Sequence, residues 1–74
     1  MSLEISINNV LNLFNSKKLD EAEIKCIELL NLNPDNLLLL NIYGVILFKK
    51  GCHEKAMNQF KKIIKIDPKY SEAY

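Results

Sequence analysis

Apolar residues recur at intervals of three and four along most of this chain, a spacing that places them on one face of an α-helix. Three such stripes are clearest. They comprise Ala22, Cys26, Leu29 and Leu30; Leu39, Leu40, Tyr43 and Leu47; and Ala56, Phe60, Ile63 and Ile64. Short polar segments separate the stripes. The pattern therefore predicts helices joined by short connections, with neighbouring helices antiparallel.

The ends of these helices are also marked in the sequence. Gly51 follows Lys49 and Lys50, which is typical of a helix C-terminus, because cations favour that end of the helix dipole and glycine readily turns left-handed. Pro34 and Pro68 each predict a helix end just before them, since proline disfavours helical geometry in the preceding residue.

The chain also aligns with itself at an offset of 34 residues. The matched pairs are Leu13 with Leu47, Phe14 with Phe48, Ala22 with Ala56, Leu29-Leu30 with Ile63-Ile64, and Leu32-Asn33-Pro34 with Ile66-Asp67-Pro68. A fixed period of this size indicates stacked units of two helices. We therefore predict an all-α fold of tandem antiparallel helix-turn-helix repeats. A single domain would cover 1–74, with repeat 1 at about 3–36, repeat 2 at about 37–70 and the start of a third helix pair at 71–74.

The second repeat resembles the tetratricopeptide repeat family. The residues that carry the resemblance are Tyr43-Gly44, Leu47-Phe48, Gly51, Ala56, Phe60 and Ile66-Asp67-Pro68. The resemblance implies a short right-handed α-solenoid. Gly44 and Ala56 are expected where the two helices of the unit approach most closely, since a larger side chain would push them apart.

The first repeat departs from the family pattern. Asn9 and Val10 replace a large and a small apolar residue, and Lys17 stands where the second repeat has Gly51. An end repeat lacks a neighbour on one side, so the first repeat is either a cap or a fraying terminus.

Members of this family bind peptides or partner helices in a concave groove lined by the first helix of each unit. The resemblance assigns to that groove, here mainly apolar, Ile7, Leu11, Leu38, Asn41, Val45 and Lys49. Phe14 shares this face, but we expect it to be core, whereas Ile7, Leu38 and Asn41 are expected to be exposed. The predicted function is a protein–protein interaction scaffold that binds a peptide or partner helix.

One subfamily grips the C-terminal carboxylate of chaperones with lysine and asparagine side chains on these faces. This sequence has Ile7, Leu11 and Ile42 at the corresponding positions. Aliphatic side chains offer no donor to a carboxylate. We therefore expect that the chaperone-type clamp is absent.

A structural self-assembly unit is the competing hypothesis. Repeat arrays usually need about three units for stability, and two units with a short third start are visible here. The chain could be a fragment, could be closed by a C-terminal segment that folds back, or could self-associate. We favour a fragment that forms a homo-oligomer when isolated, through an apolar repeat end formed by Phe60, Ile63 and Ile64.

Charge is unevenly distributed although the net charge is only +1. Residues 1–36 carry three lysines against six acidic residues, a net charge of −3, whereas 37–74 carry seven lysines against three, a net charge of +4. This asymmetry favours a solvated lysine face over a nucleic-acid partner, since without arginine there is no planar fork for phosphate or guanine. No apolar run approaches the roughly 20 residues of a membrane span, and no secretory leader is recognisable. We expect a cytoplasmic protein without nucleic-acid or membrane partners.

Candidate catalytic chemistry is sparse. Cys26 lies on a core stripe and Cys52 at a turn, and two cysteines with His53 make a poor zinc set. Glu21 and Glu54 are interpreted as residues of a first helical turn. We expect no enzyme activity, metal or cofactor. Ile24 and Ile27, off the core stripe, are either scattered exposed residues or a small contact patch.

Overall fold

The computed structural model describes residues 3–69, which form four α-helices. They are α1 (Leu3–Asn15), α2 (Leu19–Leu32), α3 (Leu37–Lys49) and α4 (His53–Ile66). No strand is present in these residues, and the all-α prediction is confirmed for them. The predicted start of a third helix pair at 71–74 lies outside the described residues.

The helices recur at the period predicted from the sequence. Adding 34 to the bounds of α1 gives those of α3, and adding 34 to the bounds of α2 gives those of α4. The turns recur as well, because the Lys18 N–H donates to the Leu13 carbonyl at 2.9 Å and the Cys52 N–H donates to the Leu47 carbonyl at 2.8 Å. We call α1 and α2 hairpin 1, and α3 and α4 hairpin 2.

The turn inside each hairpin contains one residue with left-handed backbone geometry. Gly51 has φ 85°, as predicted, and Lys17 has φ 63° at the matching position of hairpin 1. A residue with a Cβ pays roughly 1–2 kcal/mol in this region. Hairpin 1 therefore keeps the geometry of the turn at the cost of strain at Lys17.

The link between the hairpins is set by two asparagines. The Leu39 N–H donates to the Asn36 side chain at 3.0 Å, so that Asn36 caps the start of α3. The Asn33 side chain donates to the Leu29 carbonyl at 3.1 Å, which satisfies one of the carbonyl groups that a helix end leaves without a partner.

The main core lies where α3 packs on hairpin 1. Its buried members come from α1, α2 and α3: Ile7, Val10, Ala22, Cys26, Leu29, Leu39, Ile42 and Ile46. A smaller cluster lies inside hairpin 2, where Leu40 and Ile63 are buried with Phe60 and Ile64 packed against them. The first cluster joins the two repeats into one body, and the second holds α3 to α4.

The close approach of α3 and α4 depends on Gly44. A Cβ placed on Gly44 would lie 2.6 Å from Cε1 and 2.9 Å from Cζ of the Phe60 ring. Real carbon atoms do not approach so closely. The predicted role of Gly44 is therefore confirmed, and Ala56 on the facing helix is fully buried.

An ion pair also joins the two hairpins. The Lys50 ammonium lies 2.6 Å from the Asp20 carboxylate and 2.5 Å from that of Glu23. The hydrogen bonds to Asp20 and then to Glu23 raise the pKa of Lys50 above its usual value. Lys50 ends hairpin 2's first helix and its partners lie on α2, so this contact crosses the boundary between the repeats.

Candidate functional site

A shallow, mainly apolar groove of about 270 Å³ lies between α1 and α3. Its lining residues, which define the α1–α3 groove, are Leu11, Phe14, Leu38, Asn41, Ile42 and Val45. The four α3 residues are spaced three and four apart, and Leu11 and Phe14 are three apart on α1. Each set thus lies on one face of its helix, and the groove is the seam where the two faces meet.

The structure brings four of the six predicted groove residues together. Leu11, Leu38, Asn41 and Val45 all line the groove. Leu38 is 43% exposed, as predicted, and Asn41 is half-buried. Lys49 lies further along, in an adjoining cavity of about 400 Å³.

Ile7 is the exception, and its predicted exposure is wrong. Its side chain is 8% exposed and belongs to the main core cluster. Burial of an isoleucine favours folding by roughly 1.5–3 kcal/mol, so a position that can reach the core is filled from there. Spacing along α1 does not reveal this, because Ile7 and Leu11 are four apart and share a broad apolar face.

Two further residues shape the groove. Ile42 is buried and forms part of its lining, although it is absent from the predicted set. Its spacing from Leu38 and Val45 could have identified it. Phe14 is partly buried against the core, as expected, and also lines both cavities.

The chemistry of the groove follows from these side chains. Asn41 is the one polar residue among those that line it. Within residues 3–69 its side-chain amide makes no hydrogen bond, so a donor and an acceptor face the groove region. The adjoining cavity adds Lys17 and Lys49, which place positive charge at one end. The arrangement suits apolar side chains along the seam, one backbone amide at Asn41 and an acidic group near the lysines.

The cysteines and the histidine have structural surroundings. Cys26 is fully buried and its thiol lies 3.5 Å from the Leu39 carbonyl, which confirms its core position. Burial raises the pKa of the Cys26 thiol to about 12. Cys52 is half-exposed and unpaired with Cys26. The His53 ring stacks on Phe48 with centroids 4.6 Å apart. Among residues 3–69 no three His, Cys, Asp or Glu side chains are grouped to hold a metal ion.

The residues proposed for self-association are only partly accessible. Ile63 has no exposed surface and packs with Leu40 inside hairpin 2, so its predicted role in a contact surface is wrong. Phe60 and Ile64 are half-buried. Ile24 and Ile27 are exposed on α2, which confirms that they lie off the core stripe.

Comparison with known proteins identifies no relative: no family model, curated protein or solved structure matches the chain. No helix within residues 3–69 has the length and hydropathy needed to cross a membrane. The functional argument accordingly rests on the chain's own residues.

Proposed function

We propose that this chain is a non-catalytic protein-interaction module of the tetratricopeptide repeat type, and that its α1–α3 groove binds an extended peptide or a partner helix. The observation that carries the proposal is the groove itself, in which Leu11, Leu38 and Val45 surround the unpaired amide of Asn41. The repeat period of 34 residues and the Gly44–Phe60 contact support the family assignment and a short right-handed α-solenoid.

The size of the groove favours peptide side chains over an enclosed small molecule. Ligand pockets usually measure about 300–1,000 Å³ and surround most of their ligand. The groove, at about 270 Å³, is smaller and open along one side. An extended chain or helix could place successive apolar side chains there while its remaining surface stays in water, and each buried methylene would contribute about 0.8 kcal/mol.

The polar groups give the ligand a direction. The Asn41 amide can hold a peptide bond through one donor and one acceptor. Lys17 and Lys49 lie at the other end, beyond Phe14, and favour an acidic side chain there. Ile42 is buried and Leu11 is aliphatic, so the groove lacks the amide and ammonium donors of a carboxylate clamp.

Peptide selection tests this function directly. Short random peptides displayed in a library would be selected on the parent chain, and the dissociation constants of the enriched peptides measured by fluorescence anisotropy. The double variant Leu38→Ala/Asn41→Ala should weaken binding by about tenfold or more, since a loss of 1.4 kcal/mol is tenfold. The matched control is Ile24→Ala, which removes an exposed aliphatic side chain from α2, and it should leave binding unchanged.

Two results would contradict the proposal. The first is an equal loss of affinity in the Ile24→Ala control, which would place the peptide elsewhere. The second is full retention of affinity by the Leu38→Ala/Asn41→Ala variant with its helical circular dichroism intact. In either case the α1–α3 groove is not the binding surface.

A further inference from the structure

The two ends of the repeat stack have matching backbones but different side chains. The contact between the hairpins shows what a helix of this type needs in order to dock. α3 packs on hairpin 1 through Leu39, Ile42, Tyr43 and Ile46, of which the three aliphatic residues are buried in the main core and Tyr43 packs against it. This stripe is apolar throughout, apart from one phenol oxygen.

The same stripe on α1 is polar. At the offset of 34 residues, Ile42, Tyr43 and Ile46 correspond to Asn8, Asn9 and Asn12, and all three asparagines are exposed. An amide buried without a hydrogen-bond partner costs roughly 1–3 kcal/mol in proteins. Three such amides would outweigh what the surrounding apolar contacts contribute, so another hairpin cannot pack on this face of α1 as hairpin 1 packs on α3.

The opposite end shows the reverse pattern. Hairpin 1 receives α3 with Phe14, Cys26 and Leu30, which pack in the main core, and with Glu23, which binds Lys50. The corresponding residues of hairpin 2 are Phe48, Phe60, Ile64 and Met57. Every one is apolar, and Phe48 and Met57 are 56% and 53% exposed. We call these four residues the open face.

We propose that the open face is an interaction surface for a further helical hairpin, joined after α4 in the same 34-residue register, and that Asn8, Asn9 and Asn12 close the other end. The entering helix would carry apolar residues at the spacing of the α3 stripe. The established contact between the hairpins supplies the geometry, because the backbones of the two repeats have the same helix bounds. This inference does not depend on the peptide groove.

A second copy of this chain is a poor occupant of the open face. Head-to-tail packing would bring the α1 asparagines onto it. Packing of α4 on α4 of another copy would bring the exposed lysines Lys61 and Lys65 of both copies together, and like charges in a contact are unfavourable. The expected homo-oligomer therefore gives way to a repeat array that extends in one direction only.

Two chains of identical composition test this directionality. In one, a copy of residues 37–70 is inserted between Tyr70 and Ser71; in the other, the same copy is inserted between Ser2 and Leu3. Both keep the native contact between hairpins 1 and 2. They differ in one contact: the open face meets a copy of α3 in the first and the asparagines of α1 in the second.

The measurement is urea unfolding followed by circular dichroism. The C-terminal insertion should unfold in one transition with a higher midpoint than the parent chain, because the open face becomes covered. The N-terminal insertion should unfold with a separate transition at lower urea for the added hairpin. A midpoint for the N-terminal insertion equal to or above that of the C-terminal insertion would overturn the proposal, as would a C-terminal insertion less stable than the parent.

A rescue variant tests the role of the asparagines. The triple substitution Asn8→Ile/Asn9→Tyr/Asn12→Ile gives α1 the stripe of α3. In the N-terminal insertion it should merge the two transitions and raise the midpoint. In the 74-residue chain it should produce concentration-dependent oligomers by light scattering, since head-to-tail packing becomes possible. Absence of both effects would show that the asparagines do not close this end.

Discussion

Replacement of Gly44 by alanine tests the closest contact in hairpin 2. The added Cβ would meet Cε1 of Phe60 at 2.6 Å and Cδ1 at 3.2 Å. Phe60 is half-buried, so its ring can relieve the clash by moving outward. That movement would expose apolar surface now packed against Leu40 and Ile63.

Two opposing effects set the magnitude. Overpacking of a close contact costs typically 1–3 kcal/mol. Alanine in a helix interior is more favourable than glycine by about 1 kcal/mol. We therefore expect Gly44→Ala to lower the free energy of unfolding by roughly 1 kcal/mol, which for a chain of this length shifts the melting temperature by about 4–8 °C.

A double-mutant cycle separates the two effects. Phe60→Leu removes the ring atoms that lie closest to the added Cβ and keeps an aliphatic side chain in the cluster. In that background Gly44→Ala should be neutral or stabilising, because only the helix propensity remains. The four proteins would be compared by urea unfolding monitored by circular dichroism.

The coupling free energy decides the outcome. A value of roughly 1–3 kcal/mol between Gly44→Ala and Phe60→Leu is expected from the contact distances. If the two substitutions are additive within about 0.5 kcal/mol, the close approach at Gly44 is not governed by the Phe60 ring, and the packing argument fails.

Three further predictions concern single residues. Lys17→Gly should raise the free energy of unfolding by roughly 0.5–1 kcal/mol because it relieves the left-handed strain, whereas the control Lys18→Gly, at negative φ, should lower it in the same urea titration. Iodoacetamide at neutral pH should modify Cys52 and spare Cys26, whose buried thiol has a pKa of about 12; mass mapping that finds both labelled in the folded chain would contradict the core position. Lys50→Met should lose a contribution that is full below the unfolded lysine pKa of about 10.4 and declines at higher pH, since its carboxylate partners raise the Lys50 pKa; equal stability of parent and variant at neutral pH would show that the ion pair does not stabilise the fold.

Local sequence signals determined the helices and their repetition. Pro34, Pro68 and Gly51 act on their own backbone or on the residue before them, so their effect does not depend on distant contacts. The apolar spacing of Ala22 and Cys26 marks one side of α2 in the same local way. For this reason the all-α class, the 34-residue period and the buried position of Cys26 follow from the sequence.

The tertiary structure decided which apolar residues remain available. Ile7 and Leu11 lie on the same side of α1, yet Ile7 is buried in the core while Leu11 lines the groove. Ile63 looks like an end residue along α4, but Leu40 covers it. Periodicity fixes the direction of a side chain around its own helix. It does not fix which neighbouring helix covers that direction, and in this protein that covering separates core, groove and open face.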